Sequence, residues 1–159
     1  MPVVGFDHAA IPIERPEEMI AFYKRLGFAI VGEQEWRDGK RGGFAIQFGE
    51  SKINAHPPAV WSNPSFTLRG PTALPGCGDF CFVWAGGLEA LQHTLAAAGA
   101  VIEQGPVPRE GGRGGGHARG TSIYTRDPDR NLLEFIVYDQ AYSGRDALSR
   151  AALVPGAAL

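Results

Sequence analysis

"RPEEMIAFYKRLGF", residues 15–28, decides how the chain folds. Pro16 suits the first turn of a helix, where its missing N–H costs nothing. Met19, Phe22, Tyr23 and Leu26 recur at three- and four-residue spacing, the stripe of an amphipathic helix running from residue 15 or 16 to 26, and Gly27 stops it. The pattern returns at residues 87–100, "GLEALQHTLAAAGA", with Leu88, Leu91, Leu95 and Ala98 as the stripe and Gly99 as the stop. Working outward, each helix has one strand candidate before it and three after it. Around the first these are residues 3–11, then 28–36, 43–48 and 52–56, separated by "RDGKRGG" and "GES". Around the second they are 78–84 ("GDFCFVW"), then 101–107, 121–125 and 131–138. The chain therefore reads β-α-β-β-β twice, joined by the Pro- and Gly-rich "HPPAVWSNPSFTLRGPTALPGCG".

The predicted class is α+β: two βαβββ modules, about 3–57 and 78–139, forming a cup-shaped, half-open mixed sheet around a cleft. Residues 1–139 make one domain, and 140–159 are a tail with a weak helix near 145–153. A length of 159 residues allows one well-filled core. Composition is 44% hydrophobic and 20% charged with a net charge of -2, which announces neither a nucleic-acid nor a membrane-surface partner. The apolar runs fall short of the ~20 residues of a membrane span. The start, "MPVVGFDHAAIPIE", lacks a basic n-region and an apolar h-region, and Cys77 and Cys81 have no second pair to complete a zinc ribbon. Free thiols in a reducing cytoplasm are the expectation.

Side chains alternate across a strand, so polar residues inside apolar strands converge on whatever the sheets enclose. His8 and Asp79 stand on the first strands of their halves; His56 and Glu134 stand on the fourth. Each has a plainer reading: His8 as a core or rim histidine, His56 as a surface strand end before Pro57, Asp79 as a cap of its own turn. Glu134, inside "NLLEFIVY", is hardest to dismiss, because a buried carboxylate needs a cation, a proton or donors. Two imidazoles and one or two carboxylates suit a divalent ion: Fe, Mn, Ni or Zn. The stretch "REGGRGGGHARG", residues 109–120, lacks the order of a phosphate-binding loop. It reads either as a mobile basic lid that brings Arg109, Arg113, His117 and Arg119 to an anionic substrate, or as a plain surface hairpin loop.

"FDHAAI", "FYKRLGF", "FGESKINAHPP" and "TSIYTRDPDRNLLEF", on a doubled βαβββ layout, resemble the vicinal oxygen chelate superfamily of glyoxalases, bleomycin-resistance proteins and extradiol dioxygenases. "FG..KIN.H", "PG..D.C", "IE.GPV.R" and "TSIY.RDPD.NL.E" look most like its glyoxalase-domain-containing-protein-5-like group, over residues 3–139. The resemblance implies a metal site in a cup of paired modules, within one chain or across a homodimer. It matches His8 to the family's first-strand histidine and Glu134 to its last-strand glutamate. The fourth-strand ligand of the first half matches positions near His56, with Asn54 as the alternative on the same face. Asp79 stands where the family commonly has histidine, and Arg130 where it usually has glycine. The activity implied is that of a metal-dependent enzyme, a lyase, isomerase or dioxygenase, acting on a small substrate with vicinal oxygens, with Glu134 catalytic as proton carrier. The second reading is a non-catalytic, bleomycin-resistance-like dimer whose cleft is lined by Trp36, Trp61, Phe66 and Trp84.

Overall fold

The computed structural model describes residues 2–139; the C-terminal stretch, with its expected weak helix, lies outside them. In chain order the elements are β1 (His8–Pro12), α1 (Pro16–Arg25), β2 (Ala29–Val31), α2 (Glu33–Arg37), β3 (Phe44–Phe48), β4 (Ser51–His56), α3 (Pro58–Trp61), β5 (Asp79–Val83), α4 (Leu88–Ala97), β6 (Gln104–Gly111), β7 (Ala118–Arg126) and β8 (Leu132–Tyr138). They build two open four-stranded sheets of one topology, β1-β4-β3-β2 and β5-β8-β7-β6. In each, the first strand pairs parallel with the fourth, and the remaining neighbours are antiparallel. The expected α+β class and doubled module are what the chain forms.

α1 forms where the stripe demands it. Met19, Ile20, Phe22 and Tyr23 are buried, Glu17 and Glu18 lie at the positive end and Lys24 and Arg25 at the negative end. Gly27 follows with φ +88°, the left-handed stop only glycine takes without strain. α4 buries Leu91 and Leu95 and stops at Gly99, φ +76°. The core faces of both sheets and both helices join one hydrophobic cluster. At its centre Phe82 of β5 lies with ring centroids 5.0 Å from Phe28 and 5.0 Å from Phe48 of the first half.

The join is polar at one point. Asp129, in the turn between β7 and β8, accepts the backbone N–H groups of Glu14 (2.7 Å) and Arg15 (3.1 Å) at the start of α1. Arg15, at the N-cap position, makes no capping bond of its own. Asp127, two residues earlier, accepts the Tyr23 hydroxyl at 3.0 Å and the Asn131 side-chain amide at 2.8 Å. Burial raises the Asp127 carboxyl above its usual range and pushes the Tyr23 phenol up as well.

Three expectations are corrected. The predicted strand 28–36 is a three-residue β2 followed by helix α2, because Gly32 turns the chain at φ +78° and "EQEWR" is rich in helix formers. Arg37 closes the short helix onto Glu33 (3.0 Å) and reaches Glu17 of α1 (2.7 Å). The predicted strand 3–11 pairs only from His8, leaving Val3, Val4 and Phe6 77%, 98% and 71% exposed. In the second half β6 and β7 zip up as far as Gly111 and Ala118, so half of the predicted glycine-rich loop is strand, and the turn is residues 112–117. The link between the halves also carries α3, which its composition did not announce.

Arg130 adopts φ +73°, a left-handed turn position that a residue with a Cβ enters only at a cost. Replacing Arg130 by Gly relieves that cost, offset in part by a looser unfolded chain. Denaturant unfolding should show the variant more stable by about 0.5–1 kcal/mol; a destabilised variant would mean that the side chain, not the backbone, matters there.

Candidate functional site

One face of each sheet carries the shared core; the other is open at His8, Ala10, Asp79, Cys81 and Val83 and closed over Pro12, Ala45, Ser122 and Ile136. Strand alternation and register fix what stands on the open faces. In the first half, His8, Lys52 and Gln47 lie side by side across β1, β4 and β3, the next row up is Ala10, Asn54 and Ala45, and the last pair is Pro12 and His56. In the second half the rows are Asp79, Leu132 and Arg126, then Cys81, Glu134 and Tyr124, then Val83, Ile136 and Ser122. All four residues singled out from the sequence therefore stand on open faces, but not as neighbours.

The register decides which belong together. Asn54 lies two residues beyond Lys52, the partner of His8; Glu134 lies two residues beyond Leu132, the partner of Asp79. The pairs His8/Asn54 and Asp79/Glu134 thus occupy the same diagonal in the two modules, a spacing of roughly 7–8 Å that side chains can bridge. His56 is four residues beyond Lys52, roughly 13 Å along the strand at about 3.3 Å per residue. It is half-buried, edge-on to Phe66 at 5.1 Å, and burial lowers its pKa. His8 is exposed and hydrogen-bonds Asp7 through Nδ1 (2.5 Å), which leaves Nε2 outward; the same contact holds the Asp7 carboxyl below its usual range.

Asp79 does not cap its turn: the Gly78 N–H is taken by Asn131 Oδ1 at 2.8 Å, and Asp79 is left exposed at the start of β5. Asn54 Oδ1 is buried and has no hydrogen-bond partner, an acceptor waiting for a cation or a donor. Glu134 is half-buried and flanked in register by Cys81 and Tyr124. Ser122 Oγ donates to its Oε1 at 2.5 Å. Part of the demand of a carboxylate in an apolar strand is therefore met by a hydroxyl, a solution the sequence did not reveal because Ser122 belongs to a neighbouring strand.

β1 and β5 are the edges of separate sheets, and among the described residues no three His, Cys, Asp or Glu side chains converge as a ligand set. The basic residues of 109–120 divide likewise. Arg109 stands on the open face, its Nε donating to Tyr124 Oη at 2.9 Å, and Arg113 lies over the Tyr138 ring at 5.1 Å. Arg119, in register with Glu110, stands on the opposite face, and the His117 side chain is 83% exposed at the hairpin tip. Of the aromatics expected to line a cleft, Trp36 and Trp84 pack on the core instead. Trp61 and Phe66 do share a cavity, of about 460 Å³, with Arg69.

No helix among the described residues is long and apolar enough to cross a membrane. The sequence profile of the Glyoxalase/Bleomycin resistance protein/Dioxygenase superfamily matches residues 5–135. The chain is 33% identical over 141 residues to the glyoxalase domain-containing protein RDO1 of Mycosarcoma maydis, covering 89% of this chain and 72% of that one. It is 34% identical over 139 residues to the virulence protein STM3117 of Salmonella typhimurium, 87% of each chain. The crystal structure of STM3117 superposes with a TM-score of 0.72, covering 87% of this chain and 99% of that one. An integron cassette protein of V. cholerae superposes at 0.71 with 30% identity, covering 87% and 98%.

The contact between Cys81 and Glu134 is open to direct test. Burial of the sulfur, then the charge of Glu134, pushes the Cys81 thiol up to about 12, so at pH 8 it is almost wholly protonated and slow to alkylate. Glu134→Gln removes the second cause, and labelling of the Cys81 peptide by iodoacetamide, followed by mass spectrometry, should speed up several-fold. Equal rates in the two proteins would show that the carboxylate does not lie against the sulfur.

Proposed function

Because the chain belongs to the Glyoxalase/Bleomycin resistance protein/Dioxygenase superfamily, we propose that it is a divalent-metal-dependent enzyme acting on a small substrate with vicinal oxygens, and that it works as a homodimer. The observation that carries this reading is the matched diagonal: His8/Asn54 on one module and Asp79/Glu134 on the other, each half of a four-ligand set. Bringing the first module's open face against the second module's open face of another copy completes the set. The edges at β1 and β5 support such a meeting, since Phe6, Val83, Asp79 and Cys81 are all exposed there.

The donor set fits the ion. His8 offers Nε2 with Asp7 behind its other nitrogen, the arrangement that orients a metal-bound imidazole. Asn54 offers a buried, unpartnered oxygen, and the partner subunit's Asp79 and Glu134 offer carboxylates. One nitrogen and three oxygens suit Fe(II), Mn(II), Ni(II) or Zn(II). Bound there, the ion would supply Lewis-acid polarisation of the substrate's neighbouring oxygens. Glu134, held by the Ser122 hydroxyl, takes or returns the proton, and Arg109 on its Tyr124 platform, with Arg113 further along the hairpin, draws an anionic substrate to the same face. Arg119 and His117 lie off that face and are the outer members of the basic group. His56 walls the far end of the cleft. The two free cysteines fit a protein of the reducing cytoplasm.

A second reading, a ligand-binding dimer without catalysis, has one observation in its favour: the cavity of about 460 Å³ between Trp61, Phe66 and Arg69. Complementation separates the arrangements. Tag-free wild type should carry one divalent ion per chain, and His8→Ala and Glu134→Gln should each lose it. Unfolded and refolded together, the two variants form mixed dimers in which one of two shared sites is intact, restoring about a quarter of the wild-type metal content. No recovery would exclude ligands shared between chains, and a wild type that takes up none of the four ions would leave the binding reading in its place.

A further inference from the structure

The two halves of the ligand set are supported unequally. Asn54 is flanked in register by Ala10 and Ala45, which bring no polar atom to it. At the equivalent place Glu134 is flanked by Cys81 and Tyr124. Ser122, two residues before Tyr124 and on the same face, is fully buried and points its hydroxyl at Oε1 from 2.5 Å. Ser122 thus fills one of the carboxylate's about four lone-pair sites, while the flanking Tyr124 hydroxyl accepts Arg109 Nε–H at 2.9 Å. A merely structural glutamate would be satisfied as well by water at this half-open position, without a buried serine.

We propose that Ser122 is a positioning residue for Glu134: it holds Oε1 so that Glu134 presents a single oxygen, Oε2, to the ion. This rests on the reading of Glu134 as a metal ligand. The physical gain is preorganisation. A glutamate side chain left free loses rotamer freedom when it ligates and can swing to bind through both oxygens; one already held does neither. Ser122 touches neither ion nor substrate in this arrangement and acts through Glu134.

Mn(II) and Co(II) titrated calorimetrically and by visible absorption into the full-length wild type and the variants Ser122→Ala and Glu134→Gln provide the test, with no substrate required. Ser122→Ala should weaken Mn(II) binding about 10- to 100-fold. It should also lower the Co(II) absorption intensity, as a released Glu134 binds through two oxygens and raises the coordination number; that signature reads the ion's surroundings and not folding. If Glu134→Gln abolishes binding while Ser122→Ala binds within twofold of wild type and keeps its Co(II) spectrum, the positioning role is overturned and the metal reading stands. If Glu134→Gln binds like wild type, the metal reading itself falls, and the positioning role falls with it.

Discussion

The structure hangs on a carboxylate that caps a helix from the other end of the chain. Asp129 lies 114 residues from Arg15, yet its two oxygens take the N–H groups at the start of α1, with the side chain fully removed from water and Arg15 Nε as a further partner. The first backbone N–H groups of a helix have no acceptor within it, and a negative charge there is favoured by the helix dipole. The cap of the first module is therefore supplied by the second. Asp127 adds the Tyr23 hydroxyl to the same joint, and Asn131 ties the turn to Gly78 at the mouth of β5. The single turn from Asp127 to Asn131 thus fixes α1, β5 and β8 relative to one another. It also commits both core faces to a shared interior, which puts His8, Asp79 and Cys81 on the faces turned away from it.

The fold was legible because it is written in two periods that do not depend on distant residues. A 3.6-residue stripe with a glycine stop and a two-residue alternation with turn punctuation each carry their own signature. Both helices, the doubled order and the strand that holds Glu134 follow from these. What failed was short or conditional. β2 has three residues, too few for alternation to speak, and "EQEWR" becomes a helix through Glu33, Arg37 and the cross-contact to Glu17. Residues 3–7 look like strand, but β1 pairs with β4 only from His8 onward. The glycines at 111 and 120 were read as loop, whereas the close packing of Tyr138 and Ile136 leaves no room for a Cβ at either place.

For the candidate site, the sequence could assign faces but not rows. Asn54 and His56 are two residues apart on one strand, so alternation places both on the same face; only the pairing register puts that face beside His8 and tells which of the two lies on the diagonal from it. Composition pulled toward the histidine, since imidazole is the commoner metal ligand. The equal offset in the second half, Asp79 to Glu134, argues for Asn54. The donor to Glu134 was invisible for a similar reason. Ser122 comes from β7, and nothing local to "NLLEFIVY" signals it.

The unequal support of the two half-sites bears on how such a centre works. On the second module Glu134 Oε1 already accepts the Ser122 hydroxyl, so if Glu134 ligates an ion as proposed, ordering it would cost little at the moment of binding. On the first module Asn54 stands in register between Ala10 and Ala45, which offer no polar atom to its buried, unpartnered Oδ1. In the proposed shared site one half would be rigid and one bare, and the ion would be held from the rigid side. The cations follow the same division: Arg109 stands beside the rigid half through Tyr124, while Lys52 lies next to His8 on the bare half. On the proposed reading, an anionic substrate lying across the join would then meet a positive group at each end and the ion between them.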